Sequence, residues 1–272
     1  MISPFPDPIM PKAHLLAAVF FLLAFMNQAA ASEQPVKNNN LTSEYLLKQE
    51  LLLNQLIVNI HLLQIDFLNK KARENMQDNL ALLNQSIPAL PEQSRDQETS
   101  KLLSSTLALW PIISRHAAWM ADLPTYSRPP EASTLLLALA KLDRKLLLLR
   151  QKMLTRYPHR NQKLGFLEQA LLMQRLSREY LSLTLSEMKE EKTASGRLQL
   201  QTLARHFEQK LEKLEKQFGD HAHAAQPIKQ AQAAWNFIKV GIEQFPGKPV
   251  PEMVARYGNT IVSRMTSAHQ MF

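Results

Sequence analysis

The sequence predicts an all-α protein made of two tandem up-down-up-down four-helix bundles. Three observations carry that reading. Of 272 residues, 45% are hydrophobic but only 7% aromatic, and just 6 are Gly. Leucine alone supplies roughly one residue in six, about twice its average usage. Such a composition disfavours a β-sandwich, which needs many turns and β-branched or aromatic strands. The second observation is helical periodicity in long segments separated by prolines, and the third is a repeat of that pattern in the two halves.

The N-terminus reads first as an export signal. After Lys12, the run Ala13 to Met26 is apolar and Ala29-Ala30-Ala31 follows. That run has the length of a signal-peptide core and is short for a membrane span. Residues 1–31 are therefore expected to be a signal peptide, with the mature chain starting near Ser32. The alternative is an anchor formed by an uncleaved N-terminal helix. Residues 32–41, with Asn38, Asn39 and Asn40, read as a polar tether. No later stretch is long and apolar enough to span a bilayer. A periplasmic or secreted location follows.

From Thr42 onward, breaks are expected at Pro88/Pro91, Pro124, Pro129-Pro130, Pro158, Gly219/Pro227 and Pro246-Gly247-Lys248-Pro249. Between them run bundle-type seams with alternating spacings of three and four. One is Leu103, Thr106, Trp110, Ile113, Ala117 and Met120. Another is Leu135, Leu139, Leu142, Leu146, Leu149 and Met153. The third is Ile228, Ala231, Trp235, Ile238, Ile242 and Phe245. A Trp holds the third position of the first and last seams. After each of those two, the next helix is expected to open with Pro-Glu, at Pro130-Glu131 and Pro251-Glu252, since Pro and an acid both suit a helix N-terminus. Leu52-Leu53-Asn54-Gln55 also aligns with Leu171-Leu172-Met173-Gln174. We read two copies of one unit, residues 42–157 and 158–272. Helices of the second are expected near 162–190, 196–218, 225–245 and 250–271.

The segment Leu167-Glu168-Gln169-Ala170-Leu171-Leu172-Met173-Gln174-Arg175-Leu176-Ser177-Arg178-Glu179-Tyr180-Leu181 resembles the first periplasmic helix of a known family. That family is the N-terminal domain of type IV pilus methyl-accepting chemotaxis transducers, the PilJ-type or NarX-like sensor domain. The resemblance rests on Leu172, Gln174, Arg175, Tyr180 and Leu181, with Leu171 and Arg178 as conservative replacements. The helix around Trp235 is also similar. Together they cover most of 162–272, with a weaker echo over 45–155. The resemblance implies a helical ligand-sensing bundle that partners an envelope receptor or a pilus- or chemotaxis-type assembly. Receptors of that family carry the unit between two spans. Here the sequence ends with its last helix, so signalling across a membrane is not expected of it alone. In nitrate sensors of the family, an Arg just before the motif Met meets the anion across a dimer axis. Ala170 takes that place here, with Leu51 in the first copy, while Leu56 stands where the second copy has Arg175. The family Gly falls on Leu167 and the first Arg on Glu168.

Gln174, Arg175 and Arg178 are the candidate ligand-binding residues. Gln174 and Arg178 are four apart and share a helix face, in line with Leu167, Leu171 and Leu181. A guanidinium near a core needs a partner, and either a protein acid or a small anionic ligand would supply it. His221 and His223 are weak metal candidates, because two imidazoles do not fill a tetrahedral shell. Met173 and His269 could face each other as in four-helix cytochromes, although a Met and a His in a helical core are usually just core. No cofactor is implied. With no Cys, thiolate metal sites and disulfides are excluded. No nucleophile has a neighbouring base, and no Gly-rich phosphate loop is present, so no enzyme is expected. Lys210, Lys213 and Lys216 interleave with Glu208, Glu212 and Glu215 as a solvent face. The net charge of +8 suits anionic membrane surface or acidic cell-wall polymer. It is spread, with no nucleic-acid reader module. The partner could also be a second copy, in a homodimer. The reading is an exported, non-enzymatic, sensor-like ligand-binding or accessory module; the alternative is a purely structural scaffold with no small ligand.

Overall fold

A computed structural model of the chain describes residues 41–94, 96–124, 126–157, 163–191 and 193–272. The expected signal peptide and nearly all of the tether lie outside the described residues. Eight helices follow one another: α1 (Ser43–Ile65), α2 (Lys70–Ser86), α3 (Gln97–Ala121), α4 (Ser133–Arg156), α5 (Leu164–Met188), α6 (Ala194–Phe218), α7 (Ala225–Glu243) and α8 (Pro251–Gln270). No strand occurs among the described residues. Three helix starts in the first half are capped by side chains. The oxygens of Thr42, Asn69 and Asp96 accept from the backbone N–H groups of Tyr45, Ala72 and Thr99 respectively.

The period-3.6 seams decide which face of each outer helix turns inward. Every seam residue named above is buried, from Leu103 to Met120 on α3, Leu135 to Met153 on α4 and Ile228 to Phe245 around α7. Helices α1 to α4 pack in a closed ring, α1 on α2, α2 on α3, α3 on α4 and α4 back on α1. Helices α5 to α8 close in the same cyclic order. Within a ring, neighbours run antiparallel. Ser105 meets Lys145 and Glu98 meets Lys152 between α3 and α4, while Gln174 meets Asn259 and Tyr180 meets Val250 between α5 and α8. Trp110 and Trp235 are buried in the third helix of their respective rings. The Trp110 indole donates to Asn84 Oδ1 at 3.1 Å, whereas the Trp235 indole nitrogen has no partner and packs on Phe207.

Two local expectations fail. Pro130-Glu131 does not open α4, whose N-cap is Ala132. The Pro130 carbonyl instead accepts from Gln64 Nε2 at 3.0 Å, and Glu131 pairs with Lys189 on the surface. Pro251, by contrast, is the first residue of α8. The break between α1 and α2 has no Pro or Gly to announce it. Asp66 Oδ1 accepts from the Leu68 N–H and Asn69 caps α2, so short polar side chains make the turn. Arg73 then crosses from α2 to the end of α3, donating to the carbonyls of Met120, Ala121 and Leu123. A buried cation thus satisfies the orphan carbonyls at a helix C-terminus.

The two rings follow one another in sequence, α4 ending at Arg156 and α5 starting at Leu164, but they share a wall. Helix α1 packs along α5 as extensively as along its own ring neighbours, and the described residues all belong to one compact unit. Glu50 pairs with Arg175 and Asn54 with Arg178, so both helices ascend together and run parallel. This explains why α1 and α5 are apolar on nearly all sides, as expected of a helix that is buried all round.

Candidate functional site

The wall between α1 and α5 carries the largest group of buried charges. Glu50 is fully buried on α1, one helical turn before the equally buried Asn54. Asp143 enters from α4, beside the seam residue Leu142, and Arg150 lies two turns further along that helix. From the other ring, α5 contributes Arg175 and Arg178. Glu50 receives Arg150 Nε at 2.5 Å on one oxygen and an Arg175 terminal nitrogen at 2.9 Å on the other. Asp143 receives Arg178 at 3.1 Å, with Arg175 at 3.6 Å from its second oxygen. Asn54 knits the two pairs together. Its Oδ1 accepts from Arg178 at 2.7 Å and its Nδ2 donates to Asp143 at 2.8 Å. Two carboxylates thus face three guanidiniums.

Burial sets the electrostatics. It pushes the Glu50 carboxyl up, against the downward pull of Arg150 and Arg175. His61, a little under two turns beyond Asn54 on α1, is pulled down to about 3 by burial, and the charge of Arg178 adds to the effect. Its Nδ1 has no hydrogen-bond partner. At the lower end of the wall, His269 Nδ1 lies 3.1 Å from the Lys163 carbonyl and Nε2 3.0 Å from Glu44. The hydrogen bond from Lys48, with a smaller one from His269, holds Glu44 at about 2 against its partial burial.

The candidate ligand residues do not converge. Arg175 and Arg178 meet carboxylates of the first ring, whereas Gln174 turns to α8 and donates to Asn259 at 2.9 Å. A shared helix face is wide enough for its members to meet different neighbours. Ala170 is buried in the apolar core, and Glu168 is half-buried, 3.5 Å from Lys210. His221 stacks near Phe218 and Phe272, and His223 is exposed. No group of three or more potential ligands that could hold a metal occurs among the described residues. Met173 and His269 are not brought together. Met173 lies against Gly258, while His269 faces Lys163, ten residues earlier on α5 and about 15 Å along its axis.

No family model, curated protein or solved structure matches this chain.

Sequence reasoning singled out Arg175 and Arg178 but not their partners Glu50, Asn54, Asp143 and Arg150, nor His61. The available signal was a Glu and an Asn one turn apart inside the Leu-rich α1, and an Asp next to a seam Leu on α4. Polar side chains on an apolar helix demand partners. Periodicity cannot say from which helix those partners come.

Proposed function

We propose that this protein is a non-catalytic helical module of the cell envelope that works by binding a macromolecule through its outer faces. In this reading Arg175 and Arg178 act as an internal clamp joining the two rings. The observation that carries it is the pairing of Arg175 with Glu50 and of Arg178 with Asp143, so that each guanidinium already has a protein carboxylate as its partner. An accessory or scaffold role in the envelope fits such a molecule better than small-anion sensing. A receptor or pilus-type assembly is the protein partner that the PilJ-like residues of α5 suggest.

A second reading keeps a small anionic ligand. It is favoured by Arg175 Nε, a donor that is buried without a hydrogen-bond partner.

Thermal-shift measurements with nitrate, sulfate, phosphate and acetate separate the two readings. Ligand that binds only the native state raises its stability. The clamp reading expects no saturable shift with any of them. It also expects Arg178→Met to cost about 2–3 kcal/mol, at or below the low end for a broken buried pair, because about a quarter of the side chain meets water. An anion that stabilises the protein saturably, and ceases to do so in Arg178→Met, would replace the clamp with a ligand site.

A further inference from the structure

Outside the charged wall, the outward surface of α3 and α4 combines unpaired cations with exposed apolar groups. Helix α4 carries six basic residues and one acid. That acid is Asp143, and with Arg150 it belongs to the buried cluster, so the remaining cations on α4 all lie outside. Helix α6 provides the contrast, since its five cations are interleaved with three acids. The only acids bordering the α3–α4 groove are Asp96 and Glu98, both at one end beside Lys152. Lys145 donates to Ser105 at 2.7 Å. Among the described residues, Lys101, Lys141, Arg144 and Arg156 have no ion-pair or hydrogen-bond partner.

Apolar groups stand on the same surface. Leu109 and Leu148 line the groove with Lys141 and Arg144. On α3 the face continues by one step of three from Leu109 to Ile112 and one of seven, two helical turns, to Trp119. Leu137 lies four residues before Lys141 on α4. Ile112, Trp119 and Leu137 are 58%, 56% and 58% exposed. These side chains stand out from the surface rather than lining a cleft, and cations flank them. The two helices lie side by side and antiparallel, and α4 alone is 24 residues or about 36 Å long. The result is a long face with basic, leucine, isoleucine and tryptophan side chains, the composition of a helix that lies in a bilayer interface.

We propose that the α3–α4 face docks on an anionic phospholipid surface. Trp119, Ile112 and Leu137 enter the headgroup boundary, and Lys101, Lys141, Arg144 and Arg156 meet the phosphates. The inference rests on the reading of an outer-face binder and names what one face binds. Charge complementarity decides for lipid over a neutral surface. Ile112, Trp119 and Leu137 project beyond the groove that Leu109 and Leu148 line, which favours insertion into a headgroup layer over a helix held in the groove.

The full chain is tested by co-sedimentation with vesicles of phosphatidylglycerol and phosphatidylcholine in equal parts, and with vesicles of phosphatidylcholine alone. The apolar run at residues 13–26 adds affinity common to every variant, so the readout is the part that depends on anionic lipid. That part is expected to fall about tenfold or more in Lys141→Gln/Arg144→Gln, given the usual contribution of a cation near such a surface. The control Lys213→Gln/Lys216→Gln on α6 should stay within about twofold. Both pairs are solvent-facing, so far-UV circular dichroism and the melting midpoint should match wild type. Anionic vesicles should also shift tryptophan emission to the blue, and Trp119→Phe should abolish that shift. Equal binding to both vesicle types, an unchanged Lys141→Gln/Arg144→Gln variant, or a blue shift surviving in Trp119→Phe would each overturn the lipid proposal. An acidic protein would then be the occupant to seek, and the outer-face reading would stand. A saturable small-anion shift in the thermal assay would remove that broader reading instead.

Discussion

Acid should loosen this protein through one histidine. His61 is buried on α1, and its pKa is near 3 in the folded chain against 6.5 when unfolded. Below pH 6.5 the unfolded chain therefore binds a proton that the folded chain refuses. The stabilisation is fully present above 6.5 and drains away as the pH falls towards 3, by about 1.4 kcal/mol per unit. Taking those two pKa values, the loss between pH 7 and pH 5 is about 2 kcal/mol. That is a large fraction of the stability of a typical domain. Substituting His61→Leu removes the titrating group and keeps the site apolar. Urea unfolding of wild type and variant at both pH values gives four free energies. Any pH-independent cost of the substitution cancels when each protein is compared with itself. The wild type should lose about 2 kcal/mol more than His61→Leu over that interval. Equal losses in the two proteins would mean that His61 takes up its proton in the folded state, and the account of the wall as a dry, positively biased environment would fail.

Three further outcomes follow, two from the packing and one from the proposed resemblance of α5 to nitrate-sensing helices. Trp235→Ala should cost about 3–5 kcal/mol in denaturant unfolding, since the ring is fully buried; a cost below about 1 kcal/mol would mean that the ring is not part of the core. A Cβ on Gly258 would sit 2.6 Å from Ser177 Oγ and 3.4 Å from the Met173 methyl. Gly258→Ala should therefore destabilise by about 1–3 kcal/mol despite its better helix propensity, and adding Ser177→Ala should recover part of the loss. Strictly additive effects would show that the two residues do not meet. Nitrate should bind no tighter than millimolar, about 4 kcal/mol, because the buried methyl of Ala170 cannot replace charge-assisted donors. Calorimetry giving a micromolar affinity that Ala170→Arg leaves unchanged would show that the departure at residue 170 had been misread.

What could be read early shows where the physics is local. The seams on α3, α4 and α7 were legible because spacings of three and four place one stripe on one face, whatever that face later meets. Helix ends in the second half matched to within about two residues because Pro, Gly and short polar residues act on their own backbone. The candidate cluster was only half legible. Arg175 and Arg178 stand out in an apolar helix, but Glu50 lies 125 residues from Arg175 and Asp143 lies 35 from Arg178. No periodicity spans such distances.

The sequence by itself determined that the chain is helical, where most of its helices lie and which faces of the outer helices turn inward, because backbone preference and 3.6-residue periodicity are properties of neighbouring residues. It also determined that some partner had to exist for polar groups placed among leucines, since their burial without one costs too much. Only the tertiary structure decided what that partner is. It laid α1 parallel to α5, turned the arginines towards Glu50 and Asp143 and gave Gln174 to α8. It also left Lys101, Lys141, Arg144 and Arg156 on the outside without an ion-pair partner. Those outcomes depend on which apolar face meets which, a choice made by complementary shape and charge over the whole body and carried by no single stretch of sequence.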